Sequence, residues 1–248
     1  MSGSGYDDSV IFLSPEGKIF QIEYAEKAVE NSSTTVGVVC KDGVILGTEK
    51  VLTNKLMLPQ SDKRIYAISR QAGMVVNGVI PDGRNILYKA REENLSYTSL
   101  YGIKTPGKIL ADRVAGYMHQ YTCYWVYRPF GTSAIISSYD DLHGYTLWMI
   151  EPSGESFQYF ACASGKGKQT ARNEIEKIDF KSLTCEEAVP RLARVLLKSS
   201  DETVEKKKEL EFSWIRDATK VHETLSAEVC AKITADAIEA IENEGMND

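Results

Sequence analysis

The sequence predicts an α+β fold in which two antiparallel β-sheets face each other between layers of helices. Three observations predict this fold class: strand-like runs follow one another across tight turns, helical segments fall mostly in pairs between these runs, and regular strand–helix–strand alternation is absent. Two sheets packed face to face and each covered by helices make a four-layer α-β-β-α sandwich. A chain of 248 residues, 43% of them hydrophobic, can supply the core of one such domain.

The strand candidates are short runs rich in β-branched and aromatic residues, separated by turns that contain Gly, Asp or Pro. Lys41-Asp42-Gly43 is a hairpin signal, because Gly accepts the positive φ that such a turn requires. The predicted strands are residues 34–40, 44–48, 64–68, 73–77, 133–138, 145–150, 156–162 and 209–215.

The helix candidates carry apolar residues three and four positions apart, which places them on one face of a helix. Asp82 is a candidate N-cap, and Thr184 followed by Glu187 three residues later is a capping-box pattern. After an N-terminal helix, the predicted helices are residues 82–100, 106–121, 169–178, 185–200 and 227–241.

The most specific pattern in the chain lies in residues 5–25. A polar start leads into a short apolar run, and Ser14-Pro15-Glu16-Gly17 then predicts a turn, since Pro presets φ and Gly tolerates positive φ. After the turn, Phe20, Tyr24 and Ala28 recur four residues apart on one face of a helix of about residues 19–31. An arm, residues 1–14, is thus tied by a turn to a helix whose apolar face needs a partner.

This segment resembles the N-terminal signature of proteasome alpha subunits, which has Tyr-Asp, then Ser-Pro-Asp/Glu-Gly-Arg/Lys, then Phe-Gln-Val/Ile-Glu-Tyr-Ala. The family fold is the N-terminal-nucleophile hydrolase sandwich, the same four-layer architecture that the periodicity predicts. Further segments resemble the family in the expected order and spacing: residues 30–37, 41–44, 111–114, 128–131 and 163–166.

Some details most resemble one ring position of the family, alpha-7. These details lie in residues 27–34, 110–114, 174–177 and 209–214. Alpha-7 subunits often end in a long acidic tail, which here is only a short acidic stub, residues 242–248. Any function of that tail is therefore in doubt for this chain.

The resemblance implies a non-catalytic structural and gating subunit of the 20S proteasome alpha ring, acting in ubiquitin-dependent protein degradation. The implied partners are six other alpha subunits in a heteroheptameric ring, beta-ring subunits, and regulatory-particle ATPases or other activators. Residues 1–248 would form a single alpha-subunit domain, and the expected compartments are the cytoplasm and the nucleus.

The family's gate cluster falls on Tyr6, Asp7, Pro15 and Tyr24, where a Tyr hydroxyl can bond a carboxylate and Pro15 fixes the turn that aims the arm. The alternative is an ordinary disordered terminus.

The family's activator pocket falls on Ser32, Lys63, Arg64 and Val79, where a cation would bind the terminal carboxylate of an activator tail. Arg64 stands in the place of the family's pocket Lys. The alternative is a surface Arg paired at the start of a strand.

Catalytic relatives of this fold use an N-terminal Thr, whose hydroxyl attacks the substrate while its own α-amine acts as base. By resemblance that place falls at Ser33, whose nitrogen lies in a peptide bond, and Ser32 stands where self-processing relatives have Gly. The supporting Asp and Lys fall at Glu49 and Arg64, and Arg stays protonated, so it cannot replace a Lys of tunable pKa. The sequence therefore predicts a degenerate active site.

Two alternatives to the gate subunit stay open from the sequence. One is an N-terminal-nucleophile threonine or serine peptidase activated by cleavage before Ser33 or Thr34. The other is a free-standing binding protein that uses the same fold.

Composition and further motifs narrow the function. A net charge of −6 argues against nucleic acid as a partner, and no apolar run is long enough to span a membrane. No secretory signal is predicted, and five scattered cysteines favour reduced thiols.

The three histidines lack metal spacing, and residues 164–168 lack the full phosphate-loop pattern. Lys206-Lys207-Lys208 is better explained as a solvated loop than as a localisation signal. No cofactor and no metal is expected.

Overall fold

The computed structural model describes residues 8–51, 56–58, 61–200 and 208–245, and every structural statement below concerns these residues. They contain ten β-strands: β1 Thr35–Cys40, β2 Gly43–Val51, β3 Ile65–Ser69, β4 Ala72–Gly78, β5 Thr132–Asp140, β6 Gly144–Ile150, β7 Ser156–Gln158, β8 Ala161–Ser164, β9 Lys208–Arg216 and β10 His222–Thr224. They also contain six α-helices: α1 Phe20–Glu30, α2 Ile80–Tyr101, α3 Gly107–Gln120, α4 Lys168–Glu176, α5 Cys185–Lys198 and α6 Ala227–Gly245.

The strands form two five-stranded sheets in which every pairing is antiparallel. One sheet has the order β10-β9-β2-β1-β8 and the other has the order β3-β4-β5-β6-β7. The hairpin predicted at Lys41-Asp42-Gly43 is confirmed, since Cys40 pairs with Gly43 across it. The predicted class of two antiparallel sheets is therefore confirmed.

The apolar residues form three clusters that correspond to the interfaces of a four-layer sandwich. One cluster lies between the sheets and includes Leu46, Ile135 and Leu147, which are fully buried. A second cluster joins α2 and α3 to the second sheet, and a third joins α4, α5 and α6 to the first sheet. Helix α1 lies apart from these layers, against β4 and β5. None of the described helices is long and apolar enough to cross a membrane.

Two details predicted at the helix starts have opposite outcomes. The capping box is confirmed, because Glu187 N–H donates to Thr184 Oγ1 at 3.4 Å and Thr184 N–H donates to the Glu187 carboxylate at 2.9 Å. The N-cap at Asp82 is wrong, because α2 begins at Ile80 and Asp82 lies inside its first turn. Pro81 explains the earlier start, since a Pro in the first turn loses no helical hydrogen bond.

The single strand predicted over residues 156–162 is wrong. The chain breaks at Tyr159 and Phe160, so that β7 pairs with β6 in the second sheet and β8 pairs with β1 in the first. Two backbone hydrogen bonds mark the switch: Tyr159 N–H donates to Leu147 O, and Val39 N–H donates to Phe160 O. The pattern also missed the three-residue strand β10 and a short 3₁₀-helix at Phe180–Ser182.

The face of α1 that carries Phe20, Tyr24 and Ala28 is not the face that this chain buries. Ala25 and Val29 are the buried residues of α1, whereas Tyr24 is 53% exposed. The Phe20 and Tyr24 rings stack on each other at a centroid distance of 6.4 Å. The aromatic face of α1 therefore remains available to another chain.

Candidate functional site

The turn at Ser14-Pro15-Glu16-Gly17 fixes the start of α1. Gly17 N–H donates to Ser14 O at 2.8 Å, Lys18 N–H donates to Ser14 Oγ at 3.2 Å, and Ser14 N–H donates to Lys18 O at 2.8 Å. Gly17 has φ +78°, which explains why Gly stands there. Just before the turn, Val10 is buried at 3% exposure. The predicted turn is confirmed, and Val10 anchors the chain that leads into it.

The residues assigned to the gate are only partly described. Pro15 is exposed at the corner of the turn, and Tyr24 presents its ring on the open face of α1. Tyr6 and Asp7 lie outside the described residues. The gate cluster therefore stays a prediction.

A buried hydrogen-bond network fastens the end of α1 to both sheets. Ser32 Oγ lies 2.6 Å from Val29 O and 2.5 Å from Asn77 Oδ1 in β4, and both of these oxygens can accept its hydroxyl proton. The Asn77 amide also lies 3.3 Å from Ser164 Oγ in β8, and Ser164 Oγ lies 2.9 Å from Ser133 Oγ in β5. Sequence reasoning assigned only Ser32 to a site, because the contacts among these residues join distant strands and no local pattern indicates them.

Ser33 and Glu49 line one small cavity of about 180 Å³ at the start of β1. Ser33 is flanked by peptide bonds, and its neighbour Thr34 is 1% exposed and accepts a hydrogen bond from Gly167 N–H at 3.1 Å. Glu49 accepts a hydrogen bond from Ser200 Oγ at 2.5 Å. Thr34 and Glu49 are thus both engaged in hydrogen bonds within the fold.

Arg64 does not line the cavity that holds Ser33 and Glu49. Its Nε lies 3.7 Å from the Asp62 carboxylate, and its buried Nε and Nη1 find no hydrogen-bond partner among the described residues. Its backbone N–H donates to Glu211 Oε2 at 3.1 Å. The structure therefore brings together two of the three positions assigned to the degenerate active site and leaves Arg64 outside.

The positions assigned to the activator pocket differ in accessibility. Val79 is 38% exposed and Lys63 is exposed, whereas Ser32 is engaged with Asn77 and the Arg64 side chain is 15% exposed. No described hydrogen bond or ion pair joins these four positions to one another, and the pocket stays a prediction.

A buried ion pair that the sequence did not reveal lies beside this region. Lys50 Nζ is 3.8 Å from Glu211 Oε2, and both side chains are more than nine-tenths buried. Burial raises the pKa of Glu211, and the backbone hydrogen bond from Arg64 and the charge of Lys50 oppose that rise. The pair comes from two strands that meet only in the folded sheet, so no spacing in the sequence indicates it.

The Gly/Lys loop of residues 164–168 does not form a phosphate cradle. Its amides are already bonded: Lys166 N–H donates to Ser32 O, Gly167 N–H to Thr34 Oγ1, and Lys168 N–H to Gly165 O. Gly165 has φ +99°, and a Cβ there would lie 2.3 Å from Ser33 O. The glycine serves close packing against the start of β1. The described residues also contain no group of three His, Cys, Asp or Glu side chains placed to hold a metal ion.

Comparison with known families decides the identity of this fold. Residues 29–215 match the family model described as proteasome subunit, and residues 6–28 match the model described as the N-terminal signature of proteasome A subunits. The chain belongs to the proteasome alpha-subunit family.

Similar curated proteins extend over most of this chain. It is 49% identical over 238 residues to the alpha type-3 proteasome subunit of Spinacia oleracea, covering 94% of this chain and 95% of that protein. It is 50% identical over 218 residues to the alpha type-3 subunit of Arabidopsis thaliana, covering 88% of this chain and 87% of that protein. The probable alpha type-7 proteasome subunit of Schizosaccharomyces pombe is 46% identical over 213 residues, covering 86% of this chain and 83% of that protein. Alpha type-3 is another name for the alpha-7 position, so this similarity agrees with the ring position that the sequence details resemble.

Alpha subunits assemble with other proteasome subunits, and the surface of this one has large apolar side chains that a monomer would leave in water. The exposed segments lie on the arm, on α2 and in the loop after α3. They are Ile11, Phe12, Leu13, Leu95, Leu100, Tyr101, Tyr124, Trp125, Val126 and Tyr127.

Proposed function

We propose that this chain is a non-catalytic structural and gating component of the 20S alpha ring, controlling substrate entry and activator docking in ubiquitin-dependent protein degradation. The observation that carries the proposal is the environment of Ser33. Its nitrogen is part of the chain rather than a free amine, Glu49 is bonded to Ser200, and Arg64 lies outside the cavity. A hydroxyl that lacks the free α-amine of an N-terminal nucleophile is a weak nucleophile, which supports a structural role for this position.

The gating part of the proposal is supported by the turn that begins α1. Because Ser14 and Gly17 close the turn and Val10 is buried, the arm leaves the body of the protein at a fixed place and direction. Pro15 and Tyr24 are exposed beside that place, as a cluster formed with Tyr6 and Asp7 would require. A segment anchored at one end can exchange between closed and open arrangements that a bound activator biases.

The docking part of the proposal is supported by exposed groups near the start of β3 and α2. Lys63 offers an exposed ammonium, and Val79 offers an exposed apolar side chain. An activator tail that ends in a free carboxylate would pair its charge with Lys63, with Arg64 behind it and Ser32 at the wall.

The remaining assignments follow from this role. The single domain of residues 1–248 would sit in a heteroheptameric ring with six other alpha subunits, in contact with the beta ring and with regulatory-particle ATPases or other activators. We propose the cytoplasm and the nucleus as its compartments. Neither nucleic acid nor membrane is proposed as a partner, because the chain carries a net charge of −6 and has no apolar run long enough for a membrane span.

The gate proposal can be tested on the assembled particle, purified through a C-terminal tag on this chain. We expect the chain in a complex far heavier than its own 27.6 kDa, with other alpha and beta subunits. Deletion of residues 2–10 should raise hydrolysis of small peptides, whereas deletion of residues 242–248 serves as the matched control and should leave it unchanged. Unchanged hydrolysis after the first deletion would show that this arm does not gate the pore.

The peptidase alternative makes a different prediction about mass. Activation by cleavage before Ser33 or Thr34 would remove about 32 residues from the mature chain. Intact-mass measurement of the chain from the particle therefore separates the two functions: full length supports the structural subunit, and a chain that begins at Ser33 or Thr34 supports the enzyme. A full-length monomer without ring partners would support a free-standing binding protein instead.

A further inference from the structure

Cys123 and His119 form a thiol–imidazole pair at the C-terminal end of α3, outside the site described above. Cys123 Sγ lies 3.5 Å from His119 Nε2 and 3.3 Å from the His119 carbonyl oxygen. Both residues are exposed, so a small molecule can reach the sulfur. A thiol within reach of an imidazole is the pairing that activates nucleophilic cysteines in proteins.

The contacts of the other ring nitrogen determine which nitrogen faces the thiol. His119 Nδ1 lies 3.1 Å from the Ser153 carbonyl oxygen, which can only accept a hydrogen bond. It also lies 3.2 Å from Thr122 Oγ1, whose own proton is donated to His119 O at 2.8 Å. Both neighbours therefore accept, so the neutral imidazole carries its proton on Nδ1. The lone pair of Nε2 is left facing Cys123.

The turn after β6 holds this imidazole in place. Gly154 N–H closes the turn on Glu151 O at 2.9 Å, and Gly154 has φ +88°. A Cβ at Gly154 would lie 2.5 Å from the Cβ of His119, so the turn packs directly against the histidine. The base is thus oriented by a rigid part of the fold, in the same way that a third group orients the base of a catalytic dyad.

The other cysteines are poor competitors for a reagent. Cys40, Cys162, Cys185 and Cys230 are all buried, and Cys123 is the one exposed thiol of the chain. Burial raises the pKa of Cys162 to about 12 and also raises the pKa of Cys230. A thiol that stays protonated and buried reacts slowly, so a modification should be confined to Cys123.

We propose that Cys123 is a site of reversible modification by low-molecular-mass disulfides, with His119 as the base. As Sγ attacks one sulfur of the disulfide, the thiol proton moves to His119 Nε2 and the S–S bond of the reagent breaks. The departing thiolate then takes the proton from the imidazolium and leaves as a thiol. One disulfide is consumed and one mixed disulfide is formed, so the exchange needs no further oxidant or reductant.

The test uses the folded full-length chain and dipyridyl disulfide, whose released thione reports each exchange by its absorbance. We expect one fast exchange per chain, assigned to Cys123 by peptide mass spectrometry and absent from the Cys123→Ser variant. His119→Gln should lower the second-order rate constant by about tenfold or more, because the base is lost while the thiol stays exposed. Circular dichroism of both variants verifies that the chain is folded.

A matched control separates the base from a general effect of removing an imidazole. His143 is an exposed histidine that bonds Asp140 at 2.9 Å, and His143→Gln should leave the rate constant unchanged. The proposal is wrong if His119→Gln exchanges as fast as the unaltered chain, or if the fast mixed disulfide maps to a buried cysteine. Neither result depends on ring assembly or peptide hydrolysis, so the proposed gate function is tested separately.

Discussion

Arg128 and Asp82 join the loop after α3 to the first turn of α2 through two hydrogen bonds. Arg128 Nη1 lies 2.6 Å from one Asp82 oxygen, and Nη2 lies 2.8 Å from the other. Gly131 N–H donates to the same carboxylate at 3.0 Å. A single buried carboxylate thus holds the segment between the exposed residues 124–127 and β5.

Asp82→Asn is expected to destabilise the chain by about 1–3 kcal/mol at neutral pH, because the buried group loses its charge-assisted bonds. Burial acts to raise the pKa of Asp82, but the hydrogen bonds from Arg128 and Gly131 outweigh this effect. The pKa of Asp82 is therefore lowered from its ordinary value of 3.8. A carboxyl group whose pKa is lower in the folded chain than in the unfolded chain stabilises the fold at pH values above the unfolded pKa. This stabilisation is lost as the pH falls through the folded pKa. Urea unfolding at pH 7 and below pH 4 should therefore show a difference between the two proteins that shrinks in acid.

The control for this variant is Asp112→Asn. Asp112 accepts a hydrogen bond from Lys108 Nζ at 2.8 Å on the surface of α3, where both side chains are largely exposed. An exposed pair contributes at most about 1 kcal/mol, and salt screens it. Equal losses in the two variants would contradict the role given to Asp82.

Asn77→Ala is expected to destabilise the chain by about 1–3 kcal/mol, because the half-buried Ser32 and the buried Ser164 would both lose their hydrogen bond to the Asn77 amide. Asn85→Ala is the matched control, since Asn85 is exposed on α2 and bonds only the Tyr117 hydroxyl at 3.3 Å among the described contacts. Thermal unfolding of both variants measures the difference. A smaller loss for Asn77→Ala than for Asn85→Ala would show that the network does not hold α1.

Gly165→Ala is expected to cost more stability than Gly144→Ala, although both positions have positive φ, at +99° and +71°. Each substitution costs about 1–2 kcal/mol for a left-handed backbone. Only Gly165 adds a steric conflict, because its Cβ would meet Ser33 O at 2.3 Å while the Cβ at Gly144 meets nothing within 4 Å. Equal unfolding midpoints in urea would rule out the close approach.

His222 is expected to make the fold less stable in mild acid. Burial lowers its pKa to about 4 from an ordinary value of 6.5, while Glu223 acts in the opposite direction. Between these values the unfolded chain binds a proton that the folded chain does not, so stability falls as pH drops from 6.5 towards 4, by about 3 kcal/mol at most. His222→Gln should remove most of this slope in unfolding experiments between pH 7 and pH 4.

The same experiment has an internal control in His143→Gln. His143 is exposed and bonded to Asp140, so its removal should leave the slope between pH 7 and pH 4 assigned to His222 in place. A slope that survives His222→Gln would place the acid sensitivity in another group.

Local sequence signals predicted the parts of this fold that depend on neighbours along the chain. The capping box of Thr184 and Glu187 and the hairpin at residues 41–43 are confirmed because each depends on a few consecutive residues. The switch of sheets at Tyr159 and Phe160 could not be predicted, since residues 156–162 keep the propensity of one strand and only the partners change.

The candidate site shows the same limit. Ser33 and Glu49 line one cavity, whereas the contacts of Asn77 with Ser32 and Ser164 depend on strands far apart in the chain. The burial of Ala25 and Val29 in α1 was not predicted, because a helix with several apolar residues does not reveal which of them packs against β4 and β5.

The strands at the borders of the two sheets are short. Among the described strands, the borders are formed by β10 and β7 with three residues each, β8 with four and β3 with five, whereas the strands inside the sheets have six to nine. So short a border offers few free backbone groups for the addition of a foreign strand. Addition of a strand from another chain to either sheet is therefore disfavoured. Contacts with other chains then depend on side chains of helices and loops, whose chemistry can distinguish one neighbouring subunit from another.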